Sequence, residues 1–199
     1  MSQETAVPTA VRLVRDFVNT FEPQIDEESL TTPDRLRDWF VERQLMPADA
    51  RLRPSDLTRA VTIREGLRSV LLGHAGHSTD PAALGHLNQA LAEVPLRLTF
   101  TDDGYHLVST PGAALDQALA QLVDAVRRCG EDHTWTRLKV CARDTCRWAF
   151  YDASRNQARR WCSMAGCGNH IKMQRAYAAR TGRKRQASVG GMDTPAPSH

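Results

Sequence analysis

Apolar positions along this chain recur with two periods. From Val11 to Phe21 the run VRLVRDFVNTF places Val11, Val14, Val18 and Phe21 at helical spacing, with Leu13 and Phe17 alongside. Thr32-Pro33 then supplies a capping hydroxyl and a proline suited to the first helical position, and Leu36, Trp39, Phe40 and Leu45 continue that helix towards Pro47. A third helix is predicted from near Ser55, with Leu57, Val61, Ile63, Leu67, Val70 and Leu71 as its buried stripe. Asp80-Pro81 repeats the capping signal ahead of Leu84, Leu87 and Leu91. Between Pro95 and Ser109 the period falls to two. Leu96, Leu98 and Phe100 alternate with Arg97 and Thr99, Asp102-Asp103-Gly104 marks a turn, and Tyr105, Leu107 and Ser109 resume the alternation, which predicts a β-hairpin. Pro111 to Arg128 returns to helix through Leu115, Leu119, Leu122, Val123 and Val126, and Cys129-Gly130 ends it. The stripes read as core.

Charge changes this picture by dividing the chain. Residues 1–135 carry 13 basic and 20 acidic side chains, net −7, whereas residues 136–185 carry 13 basic and 2 acidic, net +11. The overall +3 conceals that asymmetry. Such a basic density repels itself unless an anion lies nearby, so two modules with different partners are expected. Mean hydropathy is −0.45 and no apolar run approaches the length of a membrane span. Met1 to Thr9 has no basic segment leading into an apolar one, so a cytoplasmic protein with reduced thiols is expected. No G-x-G-x-x-G, phosphate-binding loop or G-x-S-x-G occurs, and residues 1–135 hold no catalytic constellation, so no enzyme is expected. His74 and His77 lie at glycine-rich punctuation and are expected to face solvent; Cys129, isolated, is expected to be a buried small hydrophobe.

The remaining four cysteines are Cys141-x4-Cys146 and, fifteen residues on, Cys162-x4-Cys167. Two short loops with two thiols each can converge on one tetrahedral ion, and Zn2+ suits four thiolates, leaving no position for substrate. An iron–sulfur cluster, a disulfide pair and a metal-free core are the alternatives, the first two disfavoured by the absence of redox partners and by the reducing compartment. Gly166 and Gly168 would permit unusual φ values beside Cys167, and Lys139, Arg143 and Arg147 would offset the charge of the centre. Trp148, Phe150, Tyr151 and Trp161 are the apolar material between the loops, so the metal is expected to supply much of the module's folding energy. These aromatics read as a small core; stacking on unpaired bases, which would favour RNA, is the alternative.

The stretch CARDTCRWAFYDASRNQARRWCSMAGCGNHIKMQRAYAAR resembles the CGNR zinc finger. Phe150, Asp152, Ser154, Arg155, Asn156, Arg160, Trp161 and Cys162 match its F-x-D-x-S-R-N and R-W-C segments. Upstream, D-F-V-N-T at residues 16–20 and L-N-Q-A-L from Leu87 to Leu91 are similar to the helical ABATE domain that precedes this finger. The resemblance covers about residues 10–180. It implies bacterial, stress-linked transcription regulators in which the finger is the DNA-binding part. His170 departs from the pattern, standing where the fourth letter is arginine. A histidine gives neither the permanent charge nor the fork that an arginine offers to phosphate or guanine.

The expected architecture is mainly α (α+β). A helical domain with one small β-hairpin (1–135) is followed by a small four-cysteine zinc finger (136–182) and a disordered tail (183–199). Cys141, Cys146, Cys162 and Cys167 are the expected zinc ligands. Arg155, Arg159 and Arg160 in the linking loop, with Asn169, His170, Lys172 and Arg175 on a helix after Cys167, are the expected nucleic-acid contacts, Asn169 alternatively as a left-handed turn residue. DNA is the expected partner, with the helical domain sensing a small-molecule effector or forming a homodimer. A protein-interaction adaptor with a basic finger, an RNA-binding protein and an unrecognised enzyme are the other classes.

Overall fold

The computed structural model describes residues 7–174, 176 and 177. The expected tail and Arg175 lie outside the described residues. Two compact units divide after Cys162.

The first unit is built on five helices. Helix α1 (Thr9–Val18) buries Val11, Val14, Phe17 and Val18. It stops three residues before the predicted end because Asn19 and Thr20 turn their side chains to other work, Thr20 Oγ1 donating to the Phe17 carbonyl at 2.8 Å. Phe21 instead opens a two-residue strand, β1 (Phe21–Glu22), paired antiparallel with β2 (Glu27–Glu28) around a left-handed Asp26. Helix α2 (Pro33–Glu42) is capped by Thr32, whose hydroxyl accepts from Arg35 N at 3.2 Å. It ends before Leu45, because Gln44 takes a positive φ of 59°. Phe17, Trp39 and Phe40 pack ring on ring, with centroids 5.1–6.1 Å apart.

Helix α3 (Pro54–His74) is the spine, and its buried face mixes Ala60, Ile63, Leu67 and Leu71 with Arg64, Arg68 and Ser69. Helix α4 (Pro81–Ala92), capped by Asp80 on Ala82 N, crosses it closely. A Cβ on Gly66 would stand 2.5 Å from Leu87 Cβ, so that crossing requires glycine. The predicted hairpin forms from β3 (Leu96–Thr101) and β4 (Gly104–Ser109), with Leu98 opposite Leu107 and Phe100 opposite Tyr105. Its alternation marks an outward face, for Leu98 and Phe100 are exposed. The hairpin is pinned to α5 (Ala114–Glu131) through buried Asp124, which accepts from Leu107 N at 2.9 Å and Arg127 Nε at 2.8 Å. Cys129, on α5, is fully buried as expected, and burial pushes its thiol pKa up.

A short 3-10 turn, Trp135–Arg137, leads into a third antiparallel pair, β5 (Leu138–Val140) and β6 (Ala149–Tyr151), which sequence periodicity did not reveal. Leu138, Val140 and Ala149 are fully buried in the same apolar core as the helices. The first cysteine pair therefore lies within the first compact unit, at the end of strands that share the helical core. His74, expected to face solvent, is half-buried at the end of α3; its Nδ1–H donates to the Leu138 carbonyl at 2.9 Å, and Trp135 packs edge-on 5.1 Å away. Among the described residues no helix is long and apolar enough to cross a membrane.

Arg68 is the polar counterpart of that core. It donates to the carbonyls of Val18 (2.6 Å), Phe21 (2.9 Å) and Arg147 (3.0 Å) and pairs with Glu65. One guanidinium thus joins the end of α1, the start of β1 and the first cysteine loop. Arg64 beside it forms a two-point pair with Glu28, at 2.7 Å on each oxygen. Arg68→Ala leaves three carbonyls without their donor and is expected to cost about 3 kcal/mol or more in denaturant unfolding. His74 yields a pH test. Burial pushes its pKa below the ordinary imidazole value, with the Leu138 hydrogen bond opposing. The unfolded chain therefore takes the proton first, and stability is lost as pH falls below about 6.5. Denaturant midpoints measured across pH 5–8 should show a shallower slope in His74→Gln than in the parent.

Candidate metal centre

The first cysteine loop is built by hydrogen bonds from outside it. Cys141 N donates to Trp148 O at 2.8 Å, closing the loop at the open end of the β5–β6 pair, and Cys146 N donates to Arg143 O at 2.9 Å. Arg147 has a left-handed φ of 50°, a conformation costing a non-glycine residue about 1 kcal/mol or more. Arg68 holds its carbonyl there. Asn19, from the D-F-V-N-T segment, lies along the outer edge of β6. Its Nδ2 donates to Ala149 O at 2.9 Å, and Ala149 N donates to its Oδ1 at 2.8 Å. The carboxamide thus replaces a neighbouring strand for one residue.

The segment after β6 is organised by Asp152, which is fully buried. It accepts from Lys139 Nζ (3.0 Å), Ser154 N (3.0 Å), Ser154 Oγ (2.5 Å) and Arg159 N (2.9 Å). Burial pushes its carboxyl pKa up, but the hydrogen bonds from Ser154, Lys139 and Arg159 outweigh that and hold it below the usual carboxylate range. Lys139 also donates to Gln157 O at 2.5 Å, where Gln157 has a positive φ of 49°. The F-x-D-x-S-R-N pattern is therefore a loop built around one buried anion.

The sulfurs of Cys141, Cys146, Cys162 and Cys167 lie within 4.8 Å of one another, and none of these cysteines is disulfide-bonded. Cys146 Sγ and Cys162 Sγ are 3.7 Å apart. Four sulfurs at about 2.3 Å from a central ion stand about 3.8 Å apart along each tetrahedral edge, so the donor set fits zinc. Without a cation the thiols compete for protons. Hydrogen bonds from Cys146 and Cys162 hold the Cys141 thiol down at about 2, while the contact with Cys141 pushes Cys146 up to about 11 and the contacts with Cys141 and Cys146 push Cys162 higher still. A divalent cation removes that competition by allowing all four to ionise.

Two family models match this chain. The ABATE family, described as "Putative stress-induced transcription regulator", matches residues 11–146. The chain belongs to the ABATE family. The CGNR zinc finger matches residues 137–180, in the order that the residue patterns imply. The two matches overlap over residues 137–146, which span β5, whose Leu138 and Val140 are buried in the helical core, and the Cys141–Cys146 loop. No curated protein matches the chain.

Several expected roles move. Arg159 is half-buried over the Phe150 ring, and its guanidinium donates to the Trp161 carbonyl at 2.8 Å and to the Cys162 carbonyl. Arg155 and Arg160 are exposed, with no ion-pair partner among the described residues, and Arg160 lies over Trp161. Lys139 and Arg147, expected to balance the thiolates, are paired with Asp152 and Asp144. In the second unit, Ser163 Oγ accepts from Gly166 N as a short π-helical turn, Met164–Gly168, begins. Neither Gly166 nor Gly168 takes a positive φ, and Asn169 is right-handed helical at φ −65°, ψ −40°. The left-handed turn expected at Asn169 does not occur, because the π-turn runs directly into the helix that follows. His170 and Lys172 are exposed on that helix, and Met173 is exposed as well.

Sequence patterns could not show Asn19 or Arg68 as partners of the finger, since both act across more than 75 residues. Asp152→Asn leaves the buried Lys139 ammonium facing a neutral group. It is expected to cost about 3–5 kcal/mol in equilibrium unfolding.

Proposed function

We propose that this chain is a zinc-dependent, DNA-binding transcription regulator. Cys141, Cys146, Cys162 and Cys167 hold one structural Zn2+, the CGNR finger contacts DNA, and the ABATE domain senses a ligand or dimerises. The observation that carries the DNA reading is the concentration of net +11 in residues 136–185 of a family described as transcription regulators. Arg155 and Arg160, exposed and unpaired among the described residues, are suited to phosphates. Lys172 and His170 are exposed on the helix after the π-turn, where base or phosphate contact is open to them. Arg159 has a different part, holding the chain that carries Cys162, and Asn169 acts from the start of the helix. Arg175 belongs to the same basic segment. The metal's part is structural and not catalytic, since four thiolates fill its coordination, and the work belongs to the cytoplasm, where thiols stay reduced.

Selection of duplexes from a random pool with the zinc-loaded protein tests the reading. A recovered consensus supports it, and retention of RNA or of no nucleic acid contradicts it. Metal analysis is expected to find one zinc per chain, lost in Cys162→Ser. On a selected duplex, Arg155→Ala with Arg160→Ala should reduce the slope of log K against log[salt] by about two. Arg159→Ala should instead lower thermal stability and zinc affinity, with the slope nearly unchanged.

A further inference from the structure

Within the first unit, a cleft of about 740 Å³ opens between α1 and α2 on one side and β6 with the following loop on the other. That volume is in the range of small-molecule sites. Its walls are aromatic and cationic together. Trp39 is fixed by Phe17 and Phe40, and the Arg43 guanidinium lies 3.9 Å from the centre of its ring. Arg159, also lining the cleft, lies over Phe150, its guanidinium engaged by carbonyls and by no carboxylate among the described residues. Trp148 and Tyr151 extend the aromatic surface. Among the described residues the carboxylate that Arg43 pairs with is the exposed Glu42, at 3.4 Å, and Arg43 also donates to Trp39 O at 2.9 Å. The third cation, Arg15, is balanced by Asp16 at 2.8 Å. Arg15, Arg43 and Arg159 line the cleft with Asp16 as the one lining carboxylate among the described residues, so the cleft is net positive.

We propose that this cleft is an effector site, built jointly from ABATE residues and from the CGNR-matched residues 148–162, and that it takes a planar aromatic anion, an aryl carboxylate in chemical class. The ligand's ring lies against Trp148 and Tyr151, the part-exposed aromatics of the cleft, and its carboxylate meets the Arg43 fork. Cys162 also lines the cleft, so the ligand lies against one residue of the cysteine cluster. The idea rests on the ligand-sensing part of the proposed function and is independent of whether the finger binds DNA.

The test is a calorimetric titration of the zinc-loaded full chain, without DNA, using 1-naphthoate, with 1-naphthalenemethanol, acetate and benzamidine as comparison probes. Naphthoate should saturate at one per chain, about tenfold or more tighter than the neutral alcohol, and acetate and benzamidine should not saturate. Arg43→Gln should weaken naphthoate about tenfold. Ala153→Trp, an exposed position lining the cleft, should block it, with far-UV circular dichroism unchanged in both variants. Absence of saturation by naphthoate, equal affinity for the alcohol, or indifference to both variants would overturn the assignment. So would loss of DNA affinity in Arg43→Gln accompanied by unchanged naphthoate binding, which would give the cleft to nucleic acid. Failure of DNA selection alone, with naphthoate bound as described, would leave the site and remove only the finger's role.

Discussion

Arg68 is a buried cation whose hydrogen bonds end on carbonyls from three separate stretches of chain: Val18, Phe21 and Arg147. Burial opposes its charge, and Glu65 offsets part of that cost. A guanidinium in that position tolerates no movement of the parts it joins, since each carbonyl it abandons is left without a donor. With Asn19 pairing to both polar atoms of Ala149, it makes the β5–β6 pair and the first cysteine loop a continuation of the helical core. The left-handed Arg147, the seat of the loop, and the cleft beside Trp39 all depend on that attachment.

This arrangement alters how the metal's contribution is understood. A zinc finger with few apolar residues draws its folding energy from the ion. Here Leu138, Val140 and Ala149 have an apolar environment to which α1 and α3 contribute, and Asp152 with Lys139 orders the next loop through hydrogen bonds of its own. The first three cysteines belong to a unit with its own core, and only Cys167 lies beyond its boundary. On the proposed reading, a bound zinc would fix the Cys162–Cys167 segment, which carries the start of the helix after the π-turn.

Much of this was legible in the sequence. The five helices followed from period and capping, because Thr32-Pro33 and Asp80-Pro81 act through their immediate neighbours. The β3–β4 hairpin followed from alternation around Asp102-Asp103. The cysteine cluster followed from spacing, since thiol pairs with four residues between them have few other uses. What escaped notice was either short or distant. Strands of two or three residues carry no measurable period. Arg64 and Arg68 interrupt an apolar stripe, and the carbonyl and carboxylate partners that let them be buried lie far away in the sequence. Arg159 read as a phosphate ligand because charge is visible in sequence, whereas a carbonyl two or three residues away waiting for it is not. Asn169 read as a turn because glycines precede it, and a π-turn uses glycines without a positive φ.

Hydrogen exchange of the metal-stripped full chain, followed residue by residue, tests the attachment of finger to helices most directly. Amides of Leu138–Val140 and Ala149–Tyr151 should remain protected to the same degree as those of α1 and α3, while amides of Met164–Gly168 lose protection. Exchange of the β5 and β6 amides at unfolded rates after metal removal, with the helices still protected, would contradict it.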